Sequence, residues 1–158
     1  MVIKTIKAIL YRCWDFSLFI TGEGSWSLTP LEKLILNAVK SVLTKDALKL
    51  LNAQLSQKYF VQRINDCRIN SIFFYDKNEN YKIPGDDFND LLFRVEIEIN
   101  KRKQDVHVTF FDGYITNIEF KKGKKFYHGE KVKVCDVTIG NSDKSHALAI
   151  DRLEHGRK

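Results

Sequence analysis

The sequence predicts an α+β fold, with N-terminal helices packed on one face of an antiparallel β-sheet and a short C-terminal helix. Three observations on the 158-residue chain predict it. Apolar residues recur at helical spacing as far as Gln57. Beyond Gln57 the period falls towards 2, in runs rich in Val, Ile, Phe, Tyr and Thr. Only two prolines, with 44% hydrophobic and 29% charged residues, exclude a disordered, collagenous or low-complexity chain. A chain near 150 residues hides about 70% of the surface its unfolded form exposes, so one domain suffices. It divides into a docked N-terminal helix and connection (1–27), helices (28–58), the sheet (59–140), and a C-terminal helix with a basic tail (141–158).

In the first segment Val2, Ile3, Ile6, Ile9, Leu10, Cys13 and Trp14 recur at helical spacing and predict an amphipathic helix docked on the domain. Arg12 and Asp15 interrupt the apolar run. What remains falls short of the ~7–15 residues of a signal-peptide core and the ~20 of a membrane span. A cytoplasmic protein without a membrane span is expected. Lys4, Lys7 and Arg12 opposite Trp14 keep a membrane-surface helix as the competing reading. Cys13, Cys67 and Cys135 are scattered, with no CxxC and no histidine at ligand spacing. They suit reduced core thiols rather than a disulfide frame or a zinc site.

The segment LTPLEKLILNAVKSVLTKDALKLLNAQLSQK carries the clearest helix signals. Thr29 can cap, Pro30 suits the first turn, and Glu32 completes a capping box. Leu31, Leu34, Ile35, Ala38, Val39 and Val42 form an apolar face. Thr44 offers a second cap before Ala47, Leu48, Leu50, Leu51 and Leu55. Strands are expected at 59–65, 70–75, 91–99, 105–111, 115–121 and 131–139. Phe93, Val95, Ile97 and Ile99 alternate with Arg94, Glu96 and Glu98, the mark of a sheet with one wet side. In QDVHVTFFDGYITNIEFKK a two-residue Asp112-Gly113 turn would mix apolar and polar partners. A three-residue loop, Asp112-Gly113-Tyr114, sets Val108 opposite Ile118, Val106 opposite Phe120, His107 opposite Glu119 and Asp105 opposite Lys121. Face consistency favours the latter. The tail predicts a short helix from near Ser142 to Gly156.

Charge is segregated along the chain. Residues 1–75 carry net +5, 76–98 net −4, 99–133 net +5 and 134–158 none, in agreement with +6 overall. The basic stretch holds Lys121, Lys122, Lys124, Lys125, Lys131 and Lys133, with Lys101, Arg102 and Lys103 nearby. A nucleic-acid reading would set these lysines on phosphates and stack Phe126 and Tyr127 on bases. Lysine outnumbers arginine nineteen to seven, whereas base readout and bidentate phosphate contacts favour arginine. Lysines at exposed sheet edges also oppose aggregation, which makes a solvated face the plainer reading.

The acidic stretch DKNENYKIPGDD sets Asp76, Asn78, Asn80 and Asp87 at EF-hand spacing. Tyr81 stands where the sharp turn needs glycine, and Asp87 where the bidentate glutamate belongs, so no calcium site is expected. His107, His128, His146 and His155 lie in no HExxH, and no serine lies in GxSxG. A Cys135–His107 dyad has no support beyond strand proximity. No catalytic residue, metal or cofactor is expected.

At LTPLEKLILNAVKSVL, LNAQLSQKYFVQRIN, SIFFYD and VTFFDGYITNIEF the order of features resembles small bacterial proteins of the polymorphic or contact-dependent toxin immunity type. The resemblance spans roughly residues 28–120 and implies a non-enzymatic protein that neutralises a cognate toxin, the product of a neighbouring gene, by binding it. It transfers no site residue. From the residues themselves, the helices at 30–57 turn their apolar faces to the sheet, which leaves two charged elements for contact. A nuclease toxin would meet Asp76, Glu79, Asp86, Asp87 and Asp90, with Tyr75 and Tyr81 as aromatic anchors. An acidic toxin would meet the lysines of 121–133 instead. A nucleic-acid-binding domain using 99–133 is the alternative function.

Overall fold

A computed structural model describes residues 2–85, 88 and 90–139, with residues 2–9 as backbone alone. The expected C-terminal helix, Asp86 and Asp87 lie outside the described residues. The elements run α1 (Val2–Thr21), β1 (Gly24–Ser25), α2 (Pro30–Val42), α3 (Lys45–Ser56), β2 (Tyr59–Ile64), β3 (Ile69–Phe74), a 3-10 turn (Glu79–Tyr81), β4 (Asp90–Ile99), β5 (Arg102–Phe111), β6 (Tyr114–Phe120), α4 (Lys124–Tyr127) and β7 (Lys133–Ile139). The strands form one sheet in the order β1-β2-β3-β6-β5-β4-β7, and every neighbouring pair is antiparallel. The fold is α+β.

Both expected caps are present. Thr29 Oγ1 accepts from Glu32 N at 3.2 Å while Glu32 Oε2 accepts from Thr29 N at 2.7 Å. Thr44 Oγ1 accepts from Ala47 N at 3.3 Å. Such caps satisfy backbone donors that the first turn leaves free. The buried face of α2 is Glu32, Ile35, Leu36 and Val39, rotated from the expected stripe, so that Leu34 is exposed. Leu36 and Val39 share one core with Ala47 and Leu51 of α3, with Phe93, Val95 and Ile97 of β4, and with Val106 and Val108 of β5.

Among its described side chains α1 adds none to this core. Of the residues expected to dock it, Leu10, Cys13 and Trp14 are all exposed, as are Tyr11, Phe16, Phe19 and Ile20. Leu18 alone of its described side chains is buried. Apolar side chains that a docking stripe would bury are thus left exposed. Its C-terminal end is held instead by Asp15, which accepts from the Tyr75 hydroxyl at 2.5 Å, and by Phe19 against Trp26, ring centroids 4.9 Å apart. Trp26 in turn packs edge-on against Phe60. Phe60 neighbours Val61 of the main core, and successive strand residues point to opposite faces. This small aromatic cluster therefore lies on the other side of the sheet from α2 and α3.

The 105–121 hairpin has the two-residue turn rather than the favoured three-residue loop, yet it keeps the pairing that the loop was meant to explain. Asp112 and Gly113 have φ of 51° and 72°, the two left-handed residues of a two-residue turn, and pair Phe111 with Tyr114. A bulge then shifts the register between Thr109 and Phe110. Val108 thus faces Ile118, Val106 faces Phe120 and His107 faces Glu119, as apolar face matching requires. Asp105 faces Glu96 on β4 rather than Lys121, which lies beyond the end of β6.

Gln54 of α3 is fully buried and joins three segments. Its Nε2 donates to Tyr81 O and to Gly113 O, both at 2.8 Å, and its Oε1 accepts from Ile115 N at 3.2 Å. Substituting Gln54→Leu would leave Tyr81 O and Ile115 N unpaired and Gly113 O with Ile83 N alone, a destabilisation of about 3 kcal/mol. Chemical denaturation should record that loss, and hydrogen exchange should show Ile83 N–H opening faster than in the parent. A loss below 1 kcal/mol would show that the amide is not shared in this way.

Candidate protein-binding surfaces

The described residues of the 75–90 connection are anchored at several points. Ile83 and Phe88 are buried in the core, and Gly113 is bonded to both, accepting from Ile83 N at 3.0 Å and donating to Phe88 O at 2.9 Å. A Cβ on Gly113 would meet Ile83 O at 2.5 Å, so close approach as well as positive φ demands glycine. Tyr114 Oη donates to Asn78 O at 2.8 Å, Asn78 N donates to Gln57 Oε1 at 3.1 Å, and Lys82 pairs with Asp112. Asn78, one of the residues at EF-hand spacing, uses its Oδ1 to cap the 3-10 turn at Asn80 N. On this frame Asp76, Glu79 and Asp90 are exposed, and none has an ion-pair partner among the described residues.

The expected anchors divide. Tyr81 is half-buried beside Glu79. Tyr75 is committed to α1, since its hydroxyl donates to Asp15 and accepts from Trp26 Nε1 at 3.0 Å, with the Arg12 guanidinium 6.0 Å over its ring. Burial, then the bond to Asp15, pushes the Tyr75 phenol up to about 12.

The basic segment reads differently in space. Lys121, Lys122, Lys124, Lys125, Lys131 and Lys133 are all exposed. Lys101 and Arg102 are exposed as well, and Lys103 pairs with Glu96 at 2.7 Å. Phe126 and Tyr127, the residues that would stack on bases, turn inward. Tyr127 is buried against Phe120, centroids 5.3 Å apart, and donates its hydroxyl to Gln104 Oε1 at 3.2 Å. Phe126 packs edge-on against Tyr127.

The thiols are unpaired but not core residues: Cys13 and Cys135 are exposed and Cys67 is half-buried. Cys135 is the extra residue where β7 slips against β4 between Glu96 and Ile97, which takes it off the core-facing alternation. His107 lies on β5, with β4 between it and Cys135, two strand spacings or about 9.5 Å away. The imagined dyad is not assembled. Among the described residues no three His, Cys, Asp or Glu side chains gather as a metal site, and no helix is long and apolar enough to cross a membrane.

Gln54, the residue that shapes the acidic element, is the one that sequence reading missed. Its only signal is a glutamine within the LKLLNAQLSQ helix on the side of Ala47 and Leu51, which single-sequence periodicity treats as noise. No protein family, curated protein or solved structure matches the chain.

The Tyr75 contact has a signed pH dependence. A phenol whose folded pKa is raised contributes stability that is complete below the free value of about 10 and is lost as pH climbs towards about 12. The thermal stability of the parent relative to Tyr75→Phe should therefore fall over that interval. A difference that stays constant across it would mean that Tyr75 does not bond to Asp15.

Proposed function

We propose that the chain is a binding protein without chemistry of its own, an immunity protein that neutralises a cognate bacterial toxin by direct contact through its acidic connection. The observation that carries this reading is the exposure of unpaired carboxylates on a frame fixed by Gln54 and Gly113. A surface already held in shape loses little conformational entropy on association. Carboxylates so presented suit a partner whose active site is basic, as a nuclease's must be, and they speed encounter by steering. Tyr81 is the aromatic anchor left available. The action belongs in the cytoplasm, where unpaired thiols stay reduced. The sequence resemblance at 28–120 points the same way.

A second reading, nucleic-acid binding through residues 99–133, is favoured by the six exposed lysines alone. With Phe126 and Tyr127 turned inward it keeps only the electrostatic part of such an interface, which salt should abolish steeply.

Co-expression with the product of the immediately upstream gene tests the proposal. That product should be toxic alone and harmless beside this chain. The triple variant Asp76→Lys, Glu79→Lys, Asp90→Lys should remain folded and lose at least about a hundredfold in toxin affinity. Replacement of Lys121, Lys122, Lys124 and Lys125 by glutamine should leave affinity unchanged. The opposite pattern would move the interface to the basic segment, and a harmless neighbour would remove the immunity reading.

A further inference from the structure

One side of α1 faces the domain. Asp15 accepts from the Tyr75 hydroxyl, the Arg12 guanidinium lies 6.0 Å over the Tyr75 ring, Leu18 is buried, and Phe19 packs on Trp26. Just past the helix end, Glu23 O accepts from Arg63 N at 2.6 Å and ties the chain to β2. With about 100° between successive residues of a helix, Arg12, Asp15, Leu18 and Phe19 fall together on that one side.

The other side is apolar and uncovered. The same spacing sets Leu10, Cys13, Trp14, Phe16, Ser17 and Ile20 within an arc of about 160°, with Asp15 directly behind it. All six are exposed, and Leu10, Trp14, Phe16 and Ile20 are 62%, 60%, 56% and 68% so. Tyr11, also exposed, stands at the margin of the arc. A continuous apolar face of this kind marks a binding partner, where scattered single residues would not.

Charge and side-chain type say which partner. The face carries no acid. Asp15 is the only acidic residue in Val2–Thr21, and it is bonded to Tyr75. Against it stand Lys4, Lys7 and Arg12, three basic residues to one acidic, so the helix is cationic. Two copies of such a helix laid face to face would bring like charges together. An anionic bilayer surface complements them, and it takes tryptophan and other aromatic rings at the level of its headgroups. Tyr75 leads into the acidic connection and meets the helix on the Asp15 side, behind the apolar face. Among the described residues no helix is long and apolar enough to cross a membrane, so α1 would lie along the surface and not through it.

We propose that α1 is a membrane-surface helix, which lays the face of Leu10, Trp14 and Ile20 into the headgroup region of an anionic bilayer. The proposal does not rest on the immunity reading.

Flotation of the full chain with phosphatidylcholine vesicles, with and without added phosphatidylglycerol, is the test. The chain should float with the anionic vesicles and bind the neutral ones at least about tenfold more weakly. In Trp26→Phe, which leaves Trp14 as the only tryptophan, emission should shift to the blue on the anionic vesicles. Leu10→Glu with Trp14→Glu alters exposed positions alone, so it should keep the melting temperature and lose about a hundredfold in vesicle binding. Lys4→Gln with Lys7→Gln should lose about twentyfold, roughly fivefold for each basic residue. Equal binding to both kinds of vesicle, binding to neither, or undiminished binding by the glutamate pair would each overturn the proposal. A dimer in sedimentation that the glutamate pair dissociates, without flotation of the parent, would give the face to a second copy and overturn it as well. Should the glutamate pair not fold, the dependence on vesicle charge and the Trp14 emission still decide it.

Discussion

The carboxamide of Gln54 is the interaction on which the candidate surface depends. An amide has two N–H donors and one oxygen, and here each is used: the donors on Tyr81 O and Gly113 O, the oxygen on Ile115 N. In the interior those bonds have no aqueous substitute, so the amide is stable only if the 3-10 turn, the hairpin turn and α3 are in place together. The constraint also runs outward. Gly113 is fixed by its positive φ and by the Ile83 carbonyl against it, and Ile83 and Phe88 anchor the connection in the core. A stretch that composition presents as a polar loop thereby becomes a shaped surface.

How much of this the sequence discloses differs from residue to residue. Caps are legible because their chemistry lies within a few positions: Thr29, Pro30 and Glu32 specify a helix start whatever the rest of the chain does. Strand alternation is legible for the same reason, and it was enough to set Val106 and Val108 against Phe120 and Ile118. It could not place the bulge, because turn chemistry and face matching each favoured one register and only an extra residue near Thr116 lets both hold. Glu32 and Gln54 were opaque in a different way. A polar residue on an amphipathic helix reads as solvated unless its partner is known, and those partners, Arg63 and the Tyr81–Ile115 backbone, are 27 to 61 residues distant. For α1, counting apolar spacings could not distinguish a docking stripe from apolar side chains left exposed.

The two charged segments make the same point about side chains. Six lysines interleaved with Phe126 and Tyr127 look like a nucleic-acid surface only while the aromatics are assumed to face outward. Tyr127 reaches the core through Phe120, and the lysines take the outside as its consequence. Exposure here records where the aromatics went. In the acidic segment the carboxylates were legible and their support was not. The support is what separates a solvated loop from a surface able to bind without first being ordered.

The sheet itself explains where the candidate surface lies. The β1-β2-β3 ribbon meets β6 through just Ile69, Asn70 and Ser71, opposite Glu119, Ile118 and Asn117. Pairing stops at Asn117, next to the residue that makes the β6 bulge, so β3 and β6 part company towards Tyr114. The connection borders that divergence, with Lys77 Nζ 4.9 Å over the Tyr114 ring and Tyr114 Oη on Asn78 O. At the other end of the same seam stands Asn70, a polar residue on the core-facing side, with Arg63 across from it on β2 and the Glu32 carboxylate above. A seam of three residue pairs is the line along which two half-sheets would separate most readily, since few ladder bonds cross it. Gln54 braces the fold beyond one end of that line, and the Glu32–Arg63 pair together with the Asp66–Lys124 and Arg68–Phe120 bonds braces the other. Polar groups are buried at both ends because that is where hydrogen bonds must replace the missing ladder, and those bonds hold in place the exposed carboxylates at one end and the hollow lined by Leu31, Phe120 and Tyr127 at the other.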